Sequence, residues 1–232
     1  MNLDYAKHKS IMLQILKDVY SDTSIAPYLG FKGGTAALLF YGLPRYSNDL
    51  DFDLLNLKQE DEIFDKLHKI CLNYGKVDPS VIKHYTLLNI ISYANGAQRI
   101  KVEVNRRNFG SSFKPKTLLG ISMLVMTKED MFANKLVAMK ERVGKTSRDV
   151  FDAHYFLKQG WGINIELVEA RTGKPYKEVL KDCINLLEKL DNRHILDGLG
   201  ELLTDAQKDW ARAKLKDDTM FLLKIAAEQK SK

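Results

Sequence analysis

The 232-residue chain is 45% hydrophobic and 28% charged, a globular balance with material for one ample domain or one and a half. No run approaches the roughly 20 apolar residues of a membrane span, and polar Met1–Ser10 lacks the apolar core of a secretion signal, so a cytoplasmic protein with no membrane partner is expected. A net charge of +6 and a pI near 9.1 are compatible with a polyanionic partner but do not require one.

Helical spacing of Ile11, Leu13, Ile15, Leu16 and Val19 predicts an amphipathic helix over Leu3–Val19, broken by Asp22–Pro27. Tyr28–Lys32 is a short apolar strand, ended by Gly33-Gly34, and Thr35–Tyr41 is a helix stopped by Gly42 and Pro44. Asn48–Leu55 alternates, with Leu50, Phe52 and Leu54 on one face and Asp49, Asp51 and Asp53 on the other. A helix over Glu60–Asn73 follows. Val81–Tyr93 and Arg99–Asn105 read as an antiparallel pair about Ala94-Asn95-Gly96.

Phe109–Lys116 reads as a polar loop and Leu118–Val125 as a strand. Thr127 resembles an N-cap for a helix over Glu129–Arg142, and Arg148–Lys158 is the next helix. Beyond Gly160-Trp161-Gly162 the pattern is helical: Ile165–Arg171, Tyr176–Leu190, His194–Leu203 and Thr204–Lys230. The expected architecture is a mixed α/β domain over residues 1–160 and a helical C-terminal domain over residues 161–232. Cys71 and Cys183 lie in apolar helical patterns, as reduced buried thiols would, and no Cys or His pair has zinc spacing.

The aspartates carry the chemistry. Two residues apart on one strand face, Asp49 and Asp51 have Cα atoms roughly 6.5–7 Å apart, a separation at which carboxylates can share divalent cations. Like charges in a row repel, and aspartate is disfavoured in strands, so a cation on that face explains them better than solvation does. In Arg99–Asn105 the core face is Ile100, Val102 and Val104, which turns Glu103 outward beside Lys101 and Asn105. If that strand neighbours the aspartates, Glu103 completes a three-carboxylate site. Gly33 and Gly34 sit at a strand-to-helix junction, where unpaired N–H groups suit a phosphate, although two glycines read in isolation favour a tight turn.

The order Gly33-Gly34, helix, Arg45-x-Ser47-x-Asp49-x-Asp51, then Glu103 on a strand resembles the nucleotidyltransferase superfamily of the DNA polymerase beta type. More closely, it is similar to the AbiEii/AbiGii toxin nucleotidyltransferases of bacterial abortive-infection and toxin–antitoxin systems. Glu129–Ala138 resembles that family's lysine-bearing helix and Lys145–Asp152 its Arg-Asp-x-x-Asp segment. The resemblance spans roughly residues 30–157. It departs at Gly33-Gly34, where relatives often carry Gly-Ser, and in the fourteen residues between Gly34 and Asp49.

The resemblance implies a nucleotidyltransferase-type mixed sheet flanked by helices and followed by a helical bundle. It implies an NTP substrate, Mg²⁺ or Mn²⁺ held by Asp49, Asp51 and Glu103, an RNA acceptor such as a tRNA 3′ end, and a cognate antitoxin protein. Asp51 and Asp53 form the alternative metal pair; the Arg45 and Ser47 spacing favours Asp49 and Asp51. Lys135 would serve the triphosphate, oriented by Asp152 or Asp149. Gly33, Gly34, Thr35, Ser47, Arg45 and Arg148 would contact the nucleotide, with Arg45 alternatively anchoring its turn and Arg148 pairing with Asp149. Basic residues at Arg99, Lys101, Arg106, Arg107, Lys114 and Lys116, and at Lys140, Arg142, Lys145 and Arg148, suggest a groove for an RNA backbone. The rival readings are transfer to a small molecule or a protein, and a non-catalytic module that retains the fold.

Overall fold

The computed structural model describes residues 5–94 and 98–229. The Asn95-Gly96 part of the expected turn, and Leu3 and Lys230 at the outer ends of the expected terminal helices, lie outside these. The chain forms two compact units: Met1–Gly42 with Ser47–Thr127, and Leu43–Tyr46 with Lys128–Lys232.

The first unit is built on a seven-stranded mixed sheet of order β3-β4-β5-β2-β1-β7-β6. The strands are β1 (Leu29–Lys32), β2 (Asp49–Leu54), β3 (Lys76–Ile82), β4 (Thr86–Ser92), β5 (Ile100–Asn105), β6 (Phe113–Leu118) and β7 (Ile121–Met126). β1 runs antiparallel to β2 and parallel to β7, while β2 runs parallel to β5. The helices are α1 (Tyr5–Ser21), α2 (Gly33–Tyr41) and α3 (Glu60–Leu72). The predicted alternation of β2 holds: Leu50 and Phe52 are fully buried and Leu54 nearly so. Phe52 packs against Phe31 and Tyr20, with ring centroids 5.4 and 6.2 Å away. Ile15, Leu16 and Val19 of α1 and Ile63 and Leu67 of α3 are likewise fully buried.

Two strands depart from expectation. Val81–Tyr93 is not one strand: Lys83–Tyr85 turns the chain between β3 and β4, where Lys83 N–H donates to the Thr86 carbonyl. Most of β3 was unforeseen because Asp78-Pro79 reads as a breaker. The expected polar loop ends early, at Ser112. Phe113–Leu118 instead pairs with β7 as a hairpin around Leu119-Gly120. Both outer strands, β3 and β6, carry a proline, which blunts a sheet edge against further pairing.

The second unit contains α4 (Lys128–Arg142), α5 (Arg148–Lys158), α6 (Ile165–Thr172), α7 (Tyr176–Lys189), α8 (Asp205–Trp210) and α9 (Lys216–Glu228). The two compact units divide at Thr127–Lys128, and α4 and α5 pack on α6, α7 and α9. The helix expected over His194–Leu203 is two 3-10 turns, Asn192–His194 and Gly200–Leu202, interrupted by Gly198 at φ +62°. Thr204 and Gln207 form a capping box at the start of α8, which continues through a π-helical turn, Ala211–Leu215, into α9. Cys71 and Cys183 are both buried free thiols, each pushed up to about 12 by burial.

Phe52→Ala should cost about 3–5 kcal/mol in urea unfolding, because it removes the ring that fills the space between Phe31 and Tyr20.

Candidate active site

Alternation along β2 places Asp49, Asp51 and Asp53 on the sheet face opposite Phe52, and register places their neighbours. Asp49 lies beside Lys101, Asp51 between Lys32 and Glu103, and Asp53 between Gly30 and Asn105. The expected juxtaposition of Glu103 with the aspartates is therefore present, through the parallel pairing of β2 with β5. Glu103 is in register with Asp51.

The three aspartates differ in their partners. Asp53 accepts hydrogen bonds from Lys32 Nζ and, at 2.7 Å, from Asn105 Nδ2. Asp49 lies 3.8 Å from Lys101 Nζ, and the same ammonium is 3.0 Å from Glu103 Oε2. Asp51 makes no salt bridge among the described residues. Burial works against the charged form of Lys101, but Asp51, Asp49 and Glu103 outweigh it and raise its pKa. Lys101, expected in a basic groove, stands beside the carboxylates, and its place two residues before Glu103 on the same face is the sequence signal for this.

Gly33 opens α2 at φ +79°, and a Cβ built there would stand 2.5 Å from Asp51 Oδ2. Glycine is thus required twice, by the backbone and by the carboxylate beside it. The N-cap, Lys32, gives the helix no side-chain hydrogen bond, because its ammonium has no acceptor; it donates to Asp53 instead. Thr35, expected at the phosphate, is buried and donates its hydroxyl proton to the Asp49 carbonyl, which ties α2 to the entry of β2. Ser47 lies just before β2, with its N–H directed at the Tyr5 hydroxyl 3.5 Å away. The Asn48 carbonyl is held by His8 Nε2 at 3.1 Å, and His8 Nδ1 meets the Tyr93 hydroxyl at 2.9 Å. Burial lowers the His8 pKa, favouring the neutral ring. This support from α1 carried no sequence signal.

Among the described residues, no three His, Cys, Asp or Glu side chains converge closely enough to hold a metal ion. The donor chemistry nevertheless suits a hard divalent cation, which one or two carboxylates hold together with substrate phosphates. Asp49, Asp51 and Glu103 supply carboxylate oxygens on adjacent strands, and Gly33 leaves the Asp51 oxygen unobstructed.

Arg45, Lys135, Asp149 and Asp152 belong to the second unit, where they form one buried ion network. Arg45 forks onto Asp152, Nε and Nη2 reaching its two oxygens at 2.6 and 2.7 Å. Lys135 Nζ is 2.8 Å from Asp152 and 3.1 Å from Asp149. Arg142 Nη2 approaches the other Asp149 oxygen at 2.6 Å without the alignment of a hydrogen bond. Burial alone would raise the Asp152 pKa, but Arg45 and Lys135 hold it down to about 2. Arg45 thus has Asp152 and the Tyr46 carbonyl as partners. The Asp149 pairing expected from Arg148 is made by Arg142 and Lys135 instead, because Arg148 Nε donates to the Gly198 carbonyl at 2.6 Å.

The basic clusters are largely engaged within the protein. Arg106 pairs with Glu60 and Lys140 with Asp182. Arg107 lies over the Tyr85 and Phe109 rings, and Lys116 over Tyr41.

The mixed sheet carries Asp49 and Asp51 beside a glycine-opened helix, with Glu103 on the parallel neighbour. Two solved Helicobacter pylori structures share the fold. One, assigned as a nucleotidyltransferase, has a TM-score of 0.63 at 20% identity, with 100% of each chain covered. The other, JHP933, has a TM-score of 0.59 at 21% identity, with 95% of this chain and 92% of that one covered. No curated protein sequence matches the chain. Residues 14–223 match the family model described as nucleotidyl transferase AbiEii toxin, type IV TA system, and the chain belongs to that family. No described helix is long and apolar enough to cross a membrane.

Gly33→Ala should displace the Asp51 carboxylate and lower nucleotide transfer at least about tenfold, with a stability loss of about 1 kcal/mol or more in thermal unfolding. The second unit's network predicts an acid dependence. The folded pKa of Asp152 lies below its unfolded value of 3.8, so its contribution is present above pH 4 and lost as pH falls toward 2. The stability gap between wild type and Asp152→Asn, read by urea unfolding, should narrow by about 2 kcal/mol across that interval.

Proposed function

We propose that the protein is a Mg²⁺- or Mn²⁺-dependent toxin that transfers a nucleotide from an NTP to RNA, at the 3′ end of tRNA, with release of pyrophosphate. The observation that carries this reading is the register of Asp51 with Glu103 across parallel strands, beside the glycine start of α2.

Asp49 and Asp51, joined by Glu103, are the residues to hold the divalent cation. Engagement of Asp53 by Lys32 and Asn105 favours this pair over Asp51 and Asp53. When bound, the cation supplies neutralisation of the triphosphate and of the departing pyrophosphate. Gly33 and Gly34 offer backbone N–H groups to a phosphate, supported by the lack of a side-chain cap on α2. Ser47 adds a hydroxyl. The acceptor hydroxyl oxygen bonds to the α-phosphorus, the bond from that phosphorus to the bridging oxygen breaks, and Glu103 takes the hydroxyl proton. Lys135, held by Asp152 in the second unit, is a point charge of defined direction.

Family membership supports an antitoxin partner and action in the cytoplasm. Because many lysines and arginines have partners within the protein, the RNA acceptor rests on the family more than on a basic surface.

Wild type should transfer α-labelled nucleotide to purified tRNA with one of the four NTPs. Asp49→Asn should reduce this by about a thousandfold or more, with an unchanged circular-dichroism spectrum. Undiminished transfer by the variant would sink the site assignment. Labelling of a protein or small molecule in place of tRNA would sink the acceptor.

A further inference from the structure

Lys101 stands on the carboxylate face rather than at its margin. Its ammonium lies 3.0 Å from Glu103 Oε2 and 3.8 Å from Asp49 Oδ2, and the Asp51 charge also bears on it. Two of these groups belong to β2 and one to β5, so Lys101 bridges two strands and is more than a neighbour of Glu103. Lys32, in register with Asp51, is engaged with Asp53. One ammonium thus faces three carboxylates, and Asp49 and Glu103 point their oxygens at it.

We propose that Lys101 is a built-in counter-ion that competes with the divalent cation for Asp49 and Glu103. This rests on the reading of Asp49, Asp51 and Glu103 as cation ligands. Three carboxylates on adjacent strands repel one another, and an ammonium between two of them offsets that repulsion while the face holds no metal. The same ammonium opposes entry of a second cation, since both seek the same oxygens. For a divalent ion to be held, the Lys101 side chain must leave Asp49 and Glu103. It is about one-third exposed and carries four rotatable carbons, so it can do so without moving the strand. The protein alone is therefore a weak binder of divalent cations. Lys101 is a positioning residue that sets the threshold for loading the site, and no contact with substrate is assigned to it.

The test is direct titration of the purified full chain with Mn²⁺ alone, without nucleotide, following the free ion by electron paramagnetic resonance. Lys101→Met should bind Mn²⁺ about tenfold more tightly than wild type, because a unit positive charge is removed beside the ligands. Lys101→Arg, which restores the charge, should return the affinity to within about twofold of wild type. Asp49→Asn in the Lys101→Met background should abolish the gain. Equal or weaker binding by Lys101→Met, with Asp49→Asn still lowering affinity, would overturn the counter-ion role and leave the metal site standing. Mn²⁺ binding indifferent to Asp49→Asn would overturn both. Thermal unfolding of each variant monitors the fold. Should Lys101→Met not fold, Lys101→Gln gives the same reading, with the same tightening expected and its absence again overturning the proposal.

Discussion

Carboxylates at alternate positions of a strand repel one another at about 7 Å, and the sheet around β2 meets that repulsion position by position. Lys32 from β1 takes Asp53, and Lys101 from β5 takes Asp49 together with Glu103. Asp51, between Lys32 and Glu103 in the ladder, has no salt bridge among the described residues. The face is thus partly neutralised and still short of positive charge. Fully neutralised, it would be structural; with no neutralisation, it would destabilise the sheet on which it stands.

The opposite face of β2 makes this tolerable. Leu50 and Phe52 are completely buried, and burying such side chains stabilises by about 1.5–3 kcal/mol each. A charge row on one face is sustained by an apolar row on the other. Neighbouring groups without negative charge serve the same end. Gly33 makes room for the Asp51 carboxylate, while Thr35 and His8 hold the carbonyls of Asp49 and Asn48. None of these three groups carries negative charge, so they place the backbone without adding to the repulsion.

The second unit solves a different electrostatic problem. Arg45, Asp152, Lys135 and Asp149 are buried or nearly so, and a buried charge is tolerable only with close partners. The bidentate Arg45–Asp152 pair supplies rigid geometry, and Lys135 then meets two fixed carboxylates. Removing one member leaves its partner charged and uncompensated, so the arrangement depends on all four groups. Lys135 is accordingly an ammonium with a defined direction rather than a freely swinging surface lysine.

Local patterns were enough for much of this. The period-two alternation of residues 49–54, the glycines before α2, and the helical spacing of α1, α3, α5 and α7 follow from side-chain geometry that extends only a few residues. They placed the aspartates on one face and Glu103 on another strand, and motif order supported the family. The β3 strand and the β6–β7 hairpin were illegible, because a proline within a strand and a polar composition are overridden by pairing partners far away in the chain. The partners of the charges were illegible for the same reason. Whether Lys101 joins a basic surface or an acidic row, and whether Arg45 meets a phosphate or Asp152, depends on which distant strand or helix lies alongside. By itself, then, the sequence determined the residue types, their faces and the family. Strand register and helix packing alone decided which charge meets which, since ion pairing acts over a few ångströms of space and is indifferent to separation along the chain.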